Sequence, residues 1–262
     1  MGSTSPVVVV GAASGIGAHL LDRYVQHGAE VIALDCVKPV GKQAAFIECD
    51  LRDSASISAA VAALPDNLAV IAHVAGIPGT RPADQVLAVN FLGMRQLLQE
   101  ALPKVAPYGA ITVVASTAGA MWLAQLAANQ ELLATDSIAD GLRWLAANPS
   151  EYPVYNLSKE AAIAFVARWS SQVWRERRVR LNTVSPGPVE TPILADFEES
   201  MGKAMLDGVR ELVGRHATPA DIAPVIEAVS GPDFGWLVGQ DVQVDAGFVA
   251  AMMTGAVALP GT

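Results

Sequence analysis

The sequence predicts an α/β fold, a doubly wound parallel sheet of about seven strands forming one domain over residues 1–262. Three observations predict it. Short Val/Ile/Leu-rich runs bounded by Gly or Asp alternate with longer helical patterns, the signature of βαβ units covered on both faces. An apolar share of 52% in 262 residues is ample for the core of such a sheet. No Pro/Ser/Gly linker, internal repeat or low-complexity tract separates two halves.

The first strand is expected at 6–10, PVVVV, a run too short for a membrane span and interrupted at once by glycine. Further strands are expected at 30–35, 45–48, 68–74, 110–115, 179–184 and 238–244, with helices near 15–27, 54–63, 83–106, 153–177 and 218–230. Only nine residues separate the second strand from the third, so that crossing is expected as a loop rather than a helix. After the fifth strand, residues 118–152 carry two Ala/Leu-rich helical patterns, read as a helical insertion. Residues 188–216 mix Ile193, Leu194, Phe197, Met201 and Met205 with acidic side chains, the composition of a mobile lid or of simple packing.

A net charge of -9 and a pI near 4.9 argue against a phosphate-backbone partner, and the basic run RERRVR at 175–180 reads as a helix end feeding a strand. Cys36 and Cys49 are too few for a disulfide framework, and His19, His27, His73 and His216 form no metal-ligand spacing. The expectation is a cytoplasmic protein without a metal, a nucleic-acid partner or a membrane.

Gly11, Gly15 and Gly17 fall between the first strand and the first helix, where glycine permits a tight turn and close backbone approach, and the helix N-terminus favours a pyrophosphate. Asp35 ends the next strand, where a carboxylate would accept hydrogen bonds from a ribose diol and repel a 2′-phosphate; this favours NAD over NADP. In YPVYNLSKEAA, Tyr155 and Lys159 stand at i and i+4, one above the other on a helix. Chance supplies roughly 0.1 such pairs in a chain of this composition, so the spacing alone is only a hint.

In this order the motifs resemble those of the short-chain dehydrogenase/reductase family, and the resemblance spans nearly the whole chain. GAASGIG is similar to the family's glycine-rich turn, with Val10 in place of its threonine, and implies dinucleotide contacts from Gly11, Ser14, Gly15, Ile16 and Gly17. Asp50 and Leu51 correspond to its adenine-contacting pair, Asn90 to its helical asparagine and Ser116 to its catalytic serine. Tyr155 and Lys159 fall on its catalytic pair. The run LNTVSPGPVETP is similar to its proline-glycine turn and places Pro186, Gly187, Val189 and Thr191 against the cofactor. One match fails: the family's N-N-A-G reads His73, Val74, Ala75, Gly76 here, so only the backbone approach at Ala75 and Gly76 is expected to survive. His73 itself reads as a satisfied structural histidine.

The resemblance implies a Rossmann-type NAD-dependent oxidoreductase in which Tyr155 is the acid/base, Ser116 holds the substrate oxygen, and Asn90 positions a water that connects Lys159 to solvent. A free phenol near pKa 10 is a poor base at neutral pH, and a cation within about 4 to 6 Å is expected to depress it by 1 to 3 units. Ser116 and Tyr155 are 39 residues apart, against about a dozen in most of the family, so the insertion should sit near the active-site mouth. In that respect the chain is similar to the bacterial 3α-hydroxysteroid dehydrogenase/carbonyl reductase branch. A bulky hydrophobic cyclic or aromatic secondary alcohol, or its ketone, is the implied substrate, with Trp122, Tyr152, Ile193, Leu194 and Phe197 as pocket walls. The insertion should block the helix face that many members use to pair, leaving a homodimer through the C-terminal strand and helix. An acyl-carrier-protein ketoreductase and a non-catalytic dinucleotide-binding regulator are the alternatives.

Overall fold

Strands β1 (Val7–Val10), β2 (Val31–Asp35), β3 (Ala45–Glu48), β4 (Leu68–His73), β5 (Val105–Val114), β6 (Arg180–Pro186) and β7 (Asp241–Val244) form one seven-stranded sheet in the order β3-β2-β1-β4-β5-β6-β7. Every pairing is parallel. The computed structural model describes residues 5–40, 45–192, 194, 196, 199 and 203–257.

Strand alternation divides the core in two. Val8, Val10, Ile32, Leu34, Ile71, Ile111 and Val113 join one apolar cluster, on the face covered by α2 (Ser54–Ala63), the helical segment 83–101 and α7 (Val154–Arg177). Val7, Val9, Val31, Ala33, Val70 and Ala72 join the other, beneath α1 (Gly15–Gln26) and the helix Pro219–Ser230. Both faces are dry, which is why the strands read as unbroken apolar runs rather than as alternation. Strand order reverses between β1 and β4, opening a crevice beyond the carboxyl ends of the strands.

Three elements depart from the expectations. The helix expected at 83–106 is α3 (Ala83–Leu87), a π-helical segment Ala88–Gly93 and α4 (Met94–Ala101), closed by a short turn of 3-10 helix at Leu102–Lys104. Proline at 103 cannot continue an α-helix, and β5 therefore begins at Val105, five residues early, with an irregular register before Ala110. In the insertion only the second pattern forms a helix of length, α6 (Ile138–Ala147); the first is turns and the short α5 (Gln130–Leu133). As expected, no helix links β2 to β3 among the described residues.

The insertion is docked rather than loose. A Cβ on Gly141 would stand 2.4 Å from Leu92, so α6 lies directly on the π-helical segment. Buried Arg95 donates to Thr135 Oγ1 at 3.2 Å and to the Ser137 carbonyl at 3.4 Å. The Tyr152 hydroxyl donates to Glu160 Oε1 at 2.6 Å and Asn129 Nδ2 donates to Glu160 Oε2 at 3.4 Å, fixing the insertion to α7.

Candidate active site

A cavity of about 550 Å³ opens beyond the carboxyl ends of the strands, a volume suited to a small ligand. One wall is the turn between β1 and α1. Gly11 has φ +84°, and a Cβ there would stand 2.5 Å from the Ala75 backbone, so only glycine lets the two loops meet. A Cβ on Gly17 would stand 1.9 Å from the Gly11 carbonyl oxygen. Helix α1 opens at Ser14 without a side-chain cap, leaving its first-turn amides turned to the cavity, a cradle that fits a phosphate. Across the gap lies Thr191, whose methyl is 3.2 Å from a Cβ built on Gly15.

Every residue expected to touch the dinucleotide lines this cavity: Gly11, Ser14, Gly15, Ile16, Gly17, Asp35, Asp50, Leu51, Ala75, Gly76, Tyr155, Lys159, Pro186, Gly187, Val189 and Thr191. The carboxylate of Asp35 already accepts from the Ala13 amide at 2.9 Å and the Val37 amide at 3.1 Å, which fixes its direction. Sequence reasoning missed Arg52, which lines the same end of the cavity and is paired with Asp50 through Nε at 2.9 Å and Nη2 at 2.6 Å. It also missed Arg81 and Gln85 on the loop and helix after β4. Nothing in a linear pattern marks these three, because their part in the site comes from the loops that carry them.

The Ser116, Tyr155 and Lys159 side chains meet at the other end. Ser116 follows β5, accepts from the Ala118 amide at 3.1 Å and hydrogen-bonds the Tyr155 hydroxyl. Burial pushes the Tyr155 phenol up to about 12, the Ser116 bond opposing it. Burial also pulls the Lys159 ammonium down to about 8. Its Nζ donates to the Val114 carbonyl at 3.3 Å and stands 5.7 Å from the centre of the Tyr155 ring. The expected depression of the phenol by Lys159 is therefore not what the protein alone shows: desolvation wins over a charge that faces the ring rather than the hydroxyl.

Asn90 lies outside the cavity lining, 3% exposed, in the π-helical segment. Its Oδ1 accepts from the Ile77 amide at 2.8 Å and its Nδ2 donates to the Ile77 carbonyl at 3.0 Å and to Ser158 Oγ at 3.3 Å. The side chain thus holds the 75–77 backbone at the cavity wall. A Cβ on Gly76 would stand 3.4 Å from both Asn90 Oδ1 and Lys159 Nζ, so these two polar atoms flank the same small space.

Three expectations need correction. Tyr152 does not wall the cavity, because its hydroxyl is turned to Glu160. Trp122 of the insertion and Leu194 of the segment after the proline-glycine turn are also absent from the lining. Ile193 and Phe197 lie outside the described residues. His73 is buried, 1% exposed, yet neither ring nitrogen has a partner on any other described residue, so it is not a fully satisfied histidine.

The fold and this arrangement define a dinucleotide-binding α/β enzyme. Residues 5–128 match the family profile described as short chain dehydrogenase, and residues 137–249 match one described as Enoyl-(Acyl carrier protein) reductase. Coniferyl-alcohol dehydrogenase of Pseudomonas sp. (strain HR199 / DSM 7063) is 33% identical over 246 residues, covering 93% of this chain and 96% of that protein. The 3-alpha-hydroxysteroid dehydrogenase/carbonyl reductase of Comamonas testosteroni is 27% identical over 258 residues, 95% and 98% of the two chains. The crystal structure of the 3-alpha-hydroxysteroid dehydrogenase from Pseudomonas sp. B-0831 complexed with NADH is similar with a TM-score of 0.81 and 29% identity, covering 97% of this chain and 100% of that one. The chain belongs to the short-chain dehydrogenase/reductase family. It is an oxidoreductase acting on alcohols, of a family that binds a nicotinamide dinucleotide. Among the described residues, no helix is long and apolar enough to cross a membrane.

Proposed function

We propose that the chain is an NAD-dependent dehydrogenase interconverting a bulky hydrophobic cyclic or aromatic secondary alcohol and its ketone. The observation that carries this reading is the meeting of Ser116, Tyr155 and Lys159 in one cavity with the glycine-rich turn. The glycine-rich turn, Asp35 and Thr191 would hold the dinucleotide, which would supply the hydride donor or acceptor. Tyr155 exchanges the proton at the substrate oxygen, and Ser116, already bonded to the phenol, holds that oxygen within reach. Lys159 supplies the positive charge that favours phenolate as the proton leaves. Asn90 Oδ1 keeps a second lone pair, and the space it shares with Lys159 Nζ over Gly76 is where we assign the water leading to solvent.

Asp35 supports NAD, since its carboxylate faces the site expected for a ribose and would repel a 2′-phosphate. Arg52 does not reverse that preference, because Asp50 already neutralises it. Relatives named for coniferyl alcohol and for a 3α-hydroxysteroid support the substrate class. The edge position of β7 agrees with a homodimer through the C-terminal strand and helix, and a scattering mass of a tetramer would count against it. Aryl, steroid and cyclic terpene alcohols offered with NAD or NADP, followed by the absorbance of the reduced nicotinamide, test the assignment. Tyr155→Phe should bind NADH yet lose about a hundredfold or more in turnover. Undiminished turnover would overturn the mechanism, and comparable rates with NADP would overturn the reading of Asp35.

A further inference from the structure

His73 carries an anomaly that the reaction as described does not use. It is the last residue of β4, paired in register with Val10 on one side and Val113 on the other. Alternation along the strand turns its ring to the same face as Ile71 and Val113, the face covered by the π-helical segment and α7. Both ring nitrogens are buried without a partner on any other described residue, in a core whose other buried side-chain nitrogens and oxygens are satisfied among the described residues apart from Tyr24 Oη. A neutral imidazole has one N–H and one lone pair, and leaving either unused in an apolar setting costs on the order of a few kcal/mol. An apolar residue would fill this place more stably if packing were the only requirement.

A charged group beside the same pair of strands explains the choice. Lys159 Nζ bonds the carbonyl of Val114, the residue after His73's register partner, and among the described residues Lys159 is the charged side chain that acts on His73. The other groups around the ammonium are Tyr155 on its own helix and the neutral Asn90 beside Gly76, while Glu160 is turned away to Tyr152 and Asn129. Among the described residues no carboxylate pairs with Lys159. We propose that His73 is a positioning residue for Lys159: its neutral ring presents the lone-pair nitrogen toward the ammonium through one buried water and holds that charge against Tyr155. Burial and the Lys159 charge push the imidazole down to about 3, so it stays a neutral acceptor over the working range. A protonated ring would repel the ammonium instead.

This inference rests on the Tyr155 and Lys159 chemistry above, and its test separates the two. Tyr155→Phe abolishes turnover if that chemistry holds, whatever His73 does. His73→Leu removes the acceptor, so the ammonium is less favoured, the phenol is harder to ionise, and the limb of the pH profile for alcohol oxidation moves to higher pH. A shift of about one unit lowers kcat/KM at pH 7 about tenfold. His73→Asn keeps an acceptor and should leave the limb within about 0.3 units of the wild type. A His73→Leu profile that superposes on the wild type, with only a lower Tm, would overturn the proposal. If His73→Leu does not fold, ring nitrogen NMR shifts decide: Lys159→Met should move the acceptor nitrogen of His73, and an unchanged shift would overturn the proposal equally.

Discussion

Arg180→Met would strip the C-terminal half of the domain of a buried cation that no carboxylate balances among the described residues. Arg180 opens β6 and is 2% exposed. Its Nη1 donates to the carbonyls of Val229 at 2.7 Å and Phe234 at 3.3 Å, and its Nη2 to those of Ser230 at 2.9 Å and Gly231 at 2.8 Å. These carbonyls end the helix Pro219–Ser230 and the turn leading to β7, so the guanidinium caps a helix C-terminus with the charge its dipole favours. Hydrogen bonds from a charged group contribute about 1.5 to 3 kcal/mol each, and partial relaxation of the carbonyls brings the expected loss to about 3 to 5 kcal/mol. For a chain of this size that lowers Tm by about 10 °C. Urea unfolding followed by far-ultraviolet dichroism measures it, with the midpoint expected to fall at unchanged slope. Arg180→Lys should recover less than half of the loss, since one ammonium cannot span four acceptors in a fork. A loss below about 1 kcal/mol for Arg180→Met would refute the capping account.

Gly17→Ala should weaken NADH binding by about ten- to a hundredfold, because its Cβ would meet the Gly11 carbonyl at 1.9 Å and the strained turn must open. A fluorescence titration measures this, and an unchanged Kd would show the cradle is not used. Glu160 is fully buried with no cation beside it among the described residues, and desolvation raises its carboxyl above the ordinary range. The folded state thus holds that proton more tightly than the unfolded one. Its contribution is complete below the ordinary glutamate pKa and is lost as pH rises through the raised value. Urea midpoints of the wild type should therefore decline relative to Glu160→Gln from about pH 4 upward, and parallel curves would contradict the assignment.

Much of the site was legible because it is built from short local motifs. The turn at Gly11 to Gly17 needs residues that tolerate close approach, and the Tyr155 and Lys159 pair needs only helical spacing; both requirements are written within a few residues. Tyr152 misled because an aromatic residue beside the site is equally suited to a pocket or to a latch. Only the placement of Glu160 and Asn129 turned it away. The long helix at 83–106 misled for a different reason. Its apolar pattern runs on through Asn90, whose bonds to Ile77 and Ser158 accompany a π-helical register that no periodicity announces.

The sequence by itself determined the doubly wound sheet, the place of most of its strands along the chain and the glycine-rich turn, because apolar runs and glycines encode them locally. Tertiary structure alone decided the ionisation of the centre. Burial pushes Tyr155 to about 12 and Lys159 to about 8, and it leaves the His73 ring without a partner beneath them. Desolvation depends on what every other element covers, and no stretch of chain carries that information on its own.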